Sequence, residues 1–415
     1  MISQIVVGGG EAVPPPPWPR QAAFVIRNNE QALDAARRIA VLAEEGAVRR
    51  DREDLFPGIE LDAFSSSGLW GITVPAAWGG ADLSYVTVGR VAVTIAAADS
   101  SLAQLVQNHW ATIAAIRSSA TEEQKADLFP LILEGQRFGN AFSERGTKNV
   151  SDLRTRLIHD GDEVILNGVK HYCTGALAAD LIQIVALDEN GLSQLAIAER
   201  NSPGLTVFND WTAFGQRGTG SGRVVIENVR VPASRVIAVW KAYVPEAPFP
   251  DSAISQFIQA AIDGGIAQGA LRETEKFVLT RTRPWVDSGA EKAADDPYII
   301  QAIGSLNVRL SAALALLDEA GRSIDTAVHA PSPDTVAAAQ IAVAKAKILT
   351  TEIAIEAADR LFELAGTAST DRNLGLDRYW RNARAHTLHD PVRWKYAIVG
   401  EYYLNGRFPP LHPWS

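Results

Sequence analysis

The chain has 415 residues, 47% of them hydrophobic and 21% charged, which is enough for two or three domains with a large buried core. A net charge of −9 argues against nucleic acid or an anionic membrane as the principal partner. One cysteine excludes an internal disulfide framework and fits a reducing compartment.

The N-terminus has neither a basic leader nor a long apolar one. No run of about 18 apolar residues is evident, so a cytoplasmic protein is expected. Residues 1–22, with Pro14-Pro15-Pro16-Pro17-Trp18-Pro19 near their end, read as an extended arm outside the core. Residues 23–137 read as helical. Ala32, Leu33, Ala36, Ile39, Ala40 and Leu42 form an apolar stripe, a second helix is expected from Asp62 toward Gly68, and two apolar helices span 86–98 and 101–116. The last of these carries His109. Thr121-Glu122-Glu123-Gln124 has the form of a capping box and opens a further segment. From Phe138 the texture changes to short β-rich runs separated by turns such as Asp160-Gly161-Asp162 and Glu189-Asn190-Gly191. Residues 138–243 are therefore predicted to form a small antiparallel sandwich or barrel. Residues 244–415 return to helix, over 253–282, 298–327, 333–365 and 376–389. The predicted class is mainly α with an inserted β domain.

Chemistry is concentrated in a few stretches. Trp380-Arg381-Asn382-Ala383-Arg384-Ala385-His386-Thr387-Leu388-His389-Asp390-Pro391 places two histidines on one helical face and Arg378, Arg381 and Arg384 on another. Pro391 disfavours helix at Asp390, so the helix is expected to end there, where its negative end favours protonated imidazole. Histidines at this spacing are more commonly solvated or capping groups. Zinc is disfavoured because no third ligand follows and Cys173 is remote. Gly168-Val169-Lys170-His171-Tyr172-Cys173-Thr174-Gly175 runs a strand into a glycine turn that could hydrogen-bond and stack on a flat heterocycle, although most such strands are only strands. Arg217-Gly218-Thr219-Gly220-Ser221-Gly222 leads into a strand, so it fails as a helix-borne phosphate loop. Arg281 and Arg283, at a helix end, suit an anion such as phosphate equally as well as solvent. Ser143, Cys173 and Thr174 lack the elbow motif of a hydrolase nucleophile.

Gly68-Leu69-Trp70-Gly71-Ile72-Thr73-Val74-Pro75, Ala141-Phe142-Ser143-Glu144, the Arg217 turn with Glu227-Asn228-Val229-Arg230-Val231-Pro232, and Arg381-Asn382-Ala383 together resemble the acyl-CoA dehydrogenase superfamily. The resemblance covers nearly the whole chain after the arm. It implies an N-terminal helical domain, a middle β domain and a C-terminal four-helix bundle. Gly139 to Glu144, Arg281-Thr282-Arg283-Pro284-Trp285 and the run from Asn382 to Pro391 are similar to its flavin-dependent monooxygenase branch, of the dibenzothiophene monooxygenase and sulfur-acquisition type.

That branch uses reduced FMN, delivered by a separate reductase, to capture O2 as a C4a-hydroperoxide and oxygenate an electron-rich atom such as sulfur. The resemblance implies flavin contacts from Asn140, Ser143, Tyr172, Thr174 and Trp211, with Arg281 and Arg283 at the phosphate, Arg281 from either the same or a neighbouring subunit. It gives His389, His386 and His109 to the reacting end, and implies a homotetramer. Asp390 stands where a dehydrogenase carries its catalytic glutamate, and Gln259 stands near the alternative position. Phe362-Glu363-Leu364-Ala365-Gly366-Thr367-Ala368 has lost two glycines of the turn that admits the ADP half of FAD, which favours FMN over FAD. The competing readings are an FAD-dependent acyl-CoA dehydrogenase and a non-catalytic flavin-binding paralogue.

Overall fold

The computed structural model describes residues 5–16 and 22–415; Pro17, Trp18 and Pro19 of the predicted arm lie outside the described residues. The N-terminal helices are α1 (Asn29–Arg52), α2 (Gly58–Ser67), α3 (Tyr85–Ala98), α4 (Ser100–Ser119) and α5 (Glu122–Leu133). Their limits follow local chemistry. Asn28 caps α1 by accepting from Gln31 N, the Thr121/Gln124 box opens α5, and Gly68 closes α2 at φ +82°. The described part of the arm is not free of the core as expected. Val7 and Val13 are buried, and isolated bridges join Val6 to Leu55 and Ala12 to Phe208. The Asn209 amide secures it, accepting from Gly8 N at 3.0 Å and donating to Val6 O at 2.7 Å.

Eight strands form one connected sheet: β1 (Phe138–Ala141), β2 (Arg156–Asp160), β3 (Glu163–Lys170), β4 (Leu181–Leu187), β5 (Ser193–Glu199), β6 (Leu205–Val207), β7 (Val224–Pro232) and β8 (Val236–Ile237). The expected antiparallel pattern holds for most pairs, in the order β6-β7-β3-β2-β4-β5-β8, but β4 takes β1 as a parallel partner along Phe138–Ala141 and meets β2 in parallel at one pair. β6 and β8 are only three and two residues long, too short to show a period in the sequence. A buried ion pair, Lys170 to Glu144 at 2.8 Å, and a second bond from Lys170 Nζ to Phe142 O at 2.9 Å anchor the segment after β1.

The C-terminal region contains α6 (Asp251–Thr280), α7 (Pro297–His329), α8 (Pro333–Ala365), α9 (Asp377–His386) and α10 (Arg393–Asn405), the last not anticipated from sequence. α6 is buried nearly throughout, packed between α3 and α8, so any polar side chain on it must find a partner inside the protein. α7 is long and apolar enough to cross a membrane by length and composition, contrary to the sequence reading; in this fold it buries Leu306, Leu310, Ala313, Leu317, Ala320 and Ile324 on one face.

Candidate active site

The histidine motif departs from its predicted form. α9 stops at His386, so His389 lies in the turn that follows, with its N–H donating to His386 O at 3.1 Å. Two different environments result. His386 is almost fully buried, and its Nδ1–H donates to Asp263 Oδ1 on α6 at 2.6 Å, while Thr351 Oγ1 on α8 donates to Asp263 Oδ2 at 3.0 Å. The His389 side chain is 43% exposed and rests on a second polar relay.

In that relay, Lys347 of α8 donates to Gln259 Oε1 at 2.7 Å and also binds Gln256 and Asp390. Fixing Oε1 on Lys347 turns the Gln259 amide nitrogen to His389, 3.2 Å from either ring nitrogen. Asp390 Oδ1 accepts from His389 Nδ1 at 3.1 Å. These contacts favour one tautomer: Nδ1 carries the proton toward the carboxylate, and Nε2 keeps its lone pair toward the amide donor. Burial alone would raise the Asp390 carboxyl, but the Lys347 charge and the His389 hydrogen bond hold it far below the usual carboxylate range. Asp390 is therefore a committed anion paired with Lys347, and Gln259 has no basic atom. Neither position carries a free carboxylate base.

The predicted β-domain residues gather in and around the same sheet end. Asn140 N donates to Thr174 O at 3.0 Å, leaving its side-chain amide with one long contact, 3.5 Å to Tyr172 O. Ser143 O accepts from His171 N at 2.8 Å. Tyr172 has φ +58°, a conformation uncommon for an aromatic residue, and this turns its ring outward, 45% exposed and edge-on to Trp211 with centroids 6.2 Å apart. Thr174 Oγ1 pairs with Ser221 Oγ at 2.7 Å, and Ser221 continues to Thr219 at 2.8 Å.

The loop before β7 is docked on α9, where Arg381 donates to Phe214 O at 2.9 Å and the Phe214 and Trp380 rings stack at 6.2 Å. Gly215 approaches so closely that a Cβ there would lie 2.0 Å from Arg381 O, and Gln216 N donates to Asn382 Oδ1 at 2.7 Å. The Arg217 guanidinium serves structure, bonding Asp51 O at 3.0 Å and Asp54 at 3.2 Å. Arg378 and Arg381 are likewise engaged, Arg378 with Gly375 O at 3.0 Å and Arg381 with Asp51 and Asp377.

A cavity of about 400 Å³ opens between the sheet, α4 and the N-terminal turns of α6. Asn140 and Phe142 line it from the sheet, Asn108 and Thr112 from α4, and Ser255 from α6. Gln259 lies one helical turn beyond Ser255, which puts the His389 relay on the same face of α6, next along from the cavity. The C-terminal tail supplies another wall: Trp414 stacks on Phe142 at 5.2 Å, and Ser415 Oγ bonds to Gln340 at 2.8 Å and Ser252 at 3.1 Å.

One expectation is corrected by position and another is narrowed. His109 does not reach into the cavity. It is wholly buried between Trp70 and Phe138, its Nδ1 accepts from Phe138 N at 3.1 Å, and burial pushes its pKa down to about 3, so it is a neutral core group. Arg281 and Arg283 are exposed at the far end of α6, with Arg281 5.6 Å above the Phe277 ring. The helical rise puts Arg281 roughly 40 Å along the axis from Ser255, out of reach of this cavity within one chain.

Sequence reasoning missed Asp263, Lys347 and Asp251. For two of them a signal of need, not of partner, was present: Asp263 and Lys347 are charges within largely apolar helical runs, and such a charge requires a partner from another element that the sequence does not name.

Three consecutive family models match the chain: acyl-CoA dehydrogenase N-terminal domain over residues 28–136, middle domain over 140–229 and C-terminal domain over 257–394. A dibenzothiophene monooxygenase of Rhodococcus erythropolis is 33% identical over 406 residues, covering 94% of this chain and 96% of the relative. A probable FMNH2-dependent monooxygenase, SfnC, of Pseudomonas putida is 32% identical, covering 91% and 96%. The FMN-bound crystal structure of TdsC from Paenibacillus sp. A11-2 superposes with a TM-score of 0.89 at 33% identity, covering 93% of this chain and all of that one. With its three domains matched in order and its polar site lacking a free glutamate base, the chain belongs to the acyl-CoA dehydrogenase superfamily, in its flavin-dependent monooxygenase branch.

Proposed function

We propose that the protein is the oxygenase component of a two-component system, which takes reduced FMN from a separate, diffusing reductase and oxygenates a small apolar organosulfur compound. The observation that carries this reading is the fate of the carboxylates. Asp390, in the position of a dehydrogenase base, is locked to Lys347, while the half-exposed His389 ring rests against Gln259 and Asp390. At neither of the two positions where the resemblance places a dehydrogenase base, Asp390 and Gln259, is there a free carboxylate to abstract an acyl α-proton.

The residues at the sheet end fit a flat, polar-edged ring. The exposed Tyr172 ring and the half-buried Trp211 ring offer stacking surfaces, the Asn140 amide makes one long contact, and the Thr174 and Ser221 hydroxyls can rotate to donate or accept. Asn140, Ser143, Tyr172, Thr174 and Trp211 would hold the ring system, and Arg281 with Arg283 would meet the phosphate of a cofactor in another copy of the chain. The chemistry supplied by bound reduced FMN is activation of dioxygen for transfer of one oxygen atom. His389, oriented by Asp390 and Gln259, would hold or return a proton at Nε2, and His386, fixed by Asp263, would support the turn from beneath. Phe142, Trp240 and Trp414 line the cavity and would keep water from the reacting atoms.

Assembly as a homotetramer is proposed with this. α7 and α10 leave Tyr298, Val308, Trp394, Tyr403 and Leu404 more than half exposed, an apolar surface suited to a second copy. The test of function is anaerobic titration of the protein with FMN and FAD, followed by admission of 18O2 to protein mixed with reduced FMN and an aryl sulfide. Preferential FMN binding and one 18O atom in the product are expected. Bleaching of FAD-loaded protein by an acyl-CoA, without oxygen incorporation, would replace this reading with a dehydrogenase.

A further inference from the structure

Asp251 is the only Asp, Glu, Lys or Arg among the described residues that line the cavity. It is 8% exposed, at the first position of α6, where the helix N-terminus tolerates an anion. Its Oδ2 accepts from Ser118 Oγ at 2.8 Å, and its Oδ1 is buried with no hydrogen-bond partner among the described residues. The surrounding wall is otherwise neutral: Phe142, Leu195, Val239, Trp240 and Trp414 are apolar surfaces, and His412 Nδ1 accepts from Trp414 N at 3.1 Å, leaving that ring uncharged. A buried carboxyl oxygen left unsatisfied is costly, and Asp251 is a lining residue of the cavity, so a ligand held there would lie beside it.

We propose that Asp251 is a specificity-determining residue that selects substrates carrying an O–H or N–H donor and turns away anionic ones such as sulfinates and carboxylates. Identifying the cavity as the substrate site rests on the monooxygenase reading above. Because Ser118 donates to one oxygen, the carboxyl is set up as an acceptor, and the free oxygen can take one more donor. An anionic ligand would meet the carboxyl with no cation in the wall to offset the repulsion. Burial pushes the Asp251 carboxyl up to about 7 against the opposing Ser118 bond, which is the behaviour of an anion short of partners, and a bound donor would supply the missing one. The substrate class is thus a neutral or cationic aryl or alkyl sulfide bearing a hydroxyl or amine.

Three probes of similar size test this: thioanisole, 4-(methylthio)phenol and 4-(methylthio)benzoate. Their binding to the full-length protein is measured by calorimetry without flavin, and their oxygenation is measured separately with reduced FMN and O2. The phenol is expected to bind about 10- to 100-fold more tightly than thioanisole, with the benzoate weakest, since a hydrogen bond to a buried charged group discriminates on that scale. Asp251→Asn, close to the native size, should collapse the phenol's advantage and strengthen the benzoate. Equal binding of all three by the native protein, binding of none, or an unchanged order in Asp251→Asn would overturn the assignment. If the order holds but no probe is oxygenated, the specificity stands and the monooxygenase reading falls. If all are oxygenated without an order, the reverse is true.

Discussion

α6 presents two buried acidic regions a few turns apart, and they are opposite in character. At Gln259 and Asp263 the polar groups are satisfied: Lys347 reaches Gln256, Gln259 and Asp390, and Asp263 takes bonds from both His386 and Thr351. At Asp251 one hydroxyl serves a whole carboxyl and an oxygen is left over. The paired region has a fixed geometry before any ligand arrives, which suits groups that must hold a proton in a set direction. The under-paired region gains a partner only when something enters the cavity, which suits selection. On the proposed reading, catalytic orientation and substrate choice would be separated along one helix.

The most damaging way to break the paired region is Lys347→Met. Asp390, Gln256 and Gln259 would lose a common donor, and a buried carboxylate would be stranded, at a cost of about 3–5 kcal/mol. Chemical denaturation measures this loss. Adding Asp390→Leu should recover part of it, because the double variant no longer buries an unpaired charge, and a double variant no more stable than the single one would show that Lys347 acts mainly by packing. A smaller effect, confined to turnover, is expected from His389→Ala. Product formation should fall about 100-fold or more while FMN binding and the thermal midpoint stay near those of the native protein. Unchanged turnover would remove His389 from the chemistry.

The contrast also explains what could be read from the sequence. Helices with period 3.6 and strands bounded by Gly, Asn and Asp turns declare themselves locally, so the helical, β, helical order was legible, down to the Thr121 capping box. β6 and β8 were not, because segments of two or three residues have no period. Asn140, Tyr172 and Thr174 were singled out through their motifs, and their meeting at one sheet end follows from β1 pairing with β4 and the turn after β3. The partners that define the histidines were not legible: Asp263 is 123 residues from His386, and Lys347 is 88 residues from Gln259. Only packing of α6 against α8 and α9 joins them. His109 misled because a histidine on an apolar helix looks the same in sequence whether it faces a cavity or, as here, Trp70 and Phe138.

The smallest predicted effect separates the two acids by pH. Asp390 has a depressed folded pKa, so its contribution is present above the unfolded value of about 4 and is lost only in acid; it is flat between pH 6 and 8. Asp251 has the opposite sign. Its folded pKa, about 7, lies above the ordinary 3.8, so in this window the folded protein binds more protons than the unfolded chain, and stability falls as pH rises. The loss from pH 6 to 8 is on the order of 1 kcal/mol. His109 works against it, since a histidine buried neutral makes the protein more stable as pH rises through the unfolded value. The two contributions separate in the difference between native protein and Asp251→Asn, because His109 is common to both. Denaturation midpoints of the pair should converge toward pH 6 and diverge toward pH 8, with the variant the more stable at the higher pH. Parallel curves would mean that the Asp251 carboxyl does not titrate near neutrality, and would remove the physical distinction between the two ends of α6.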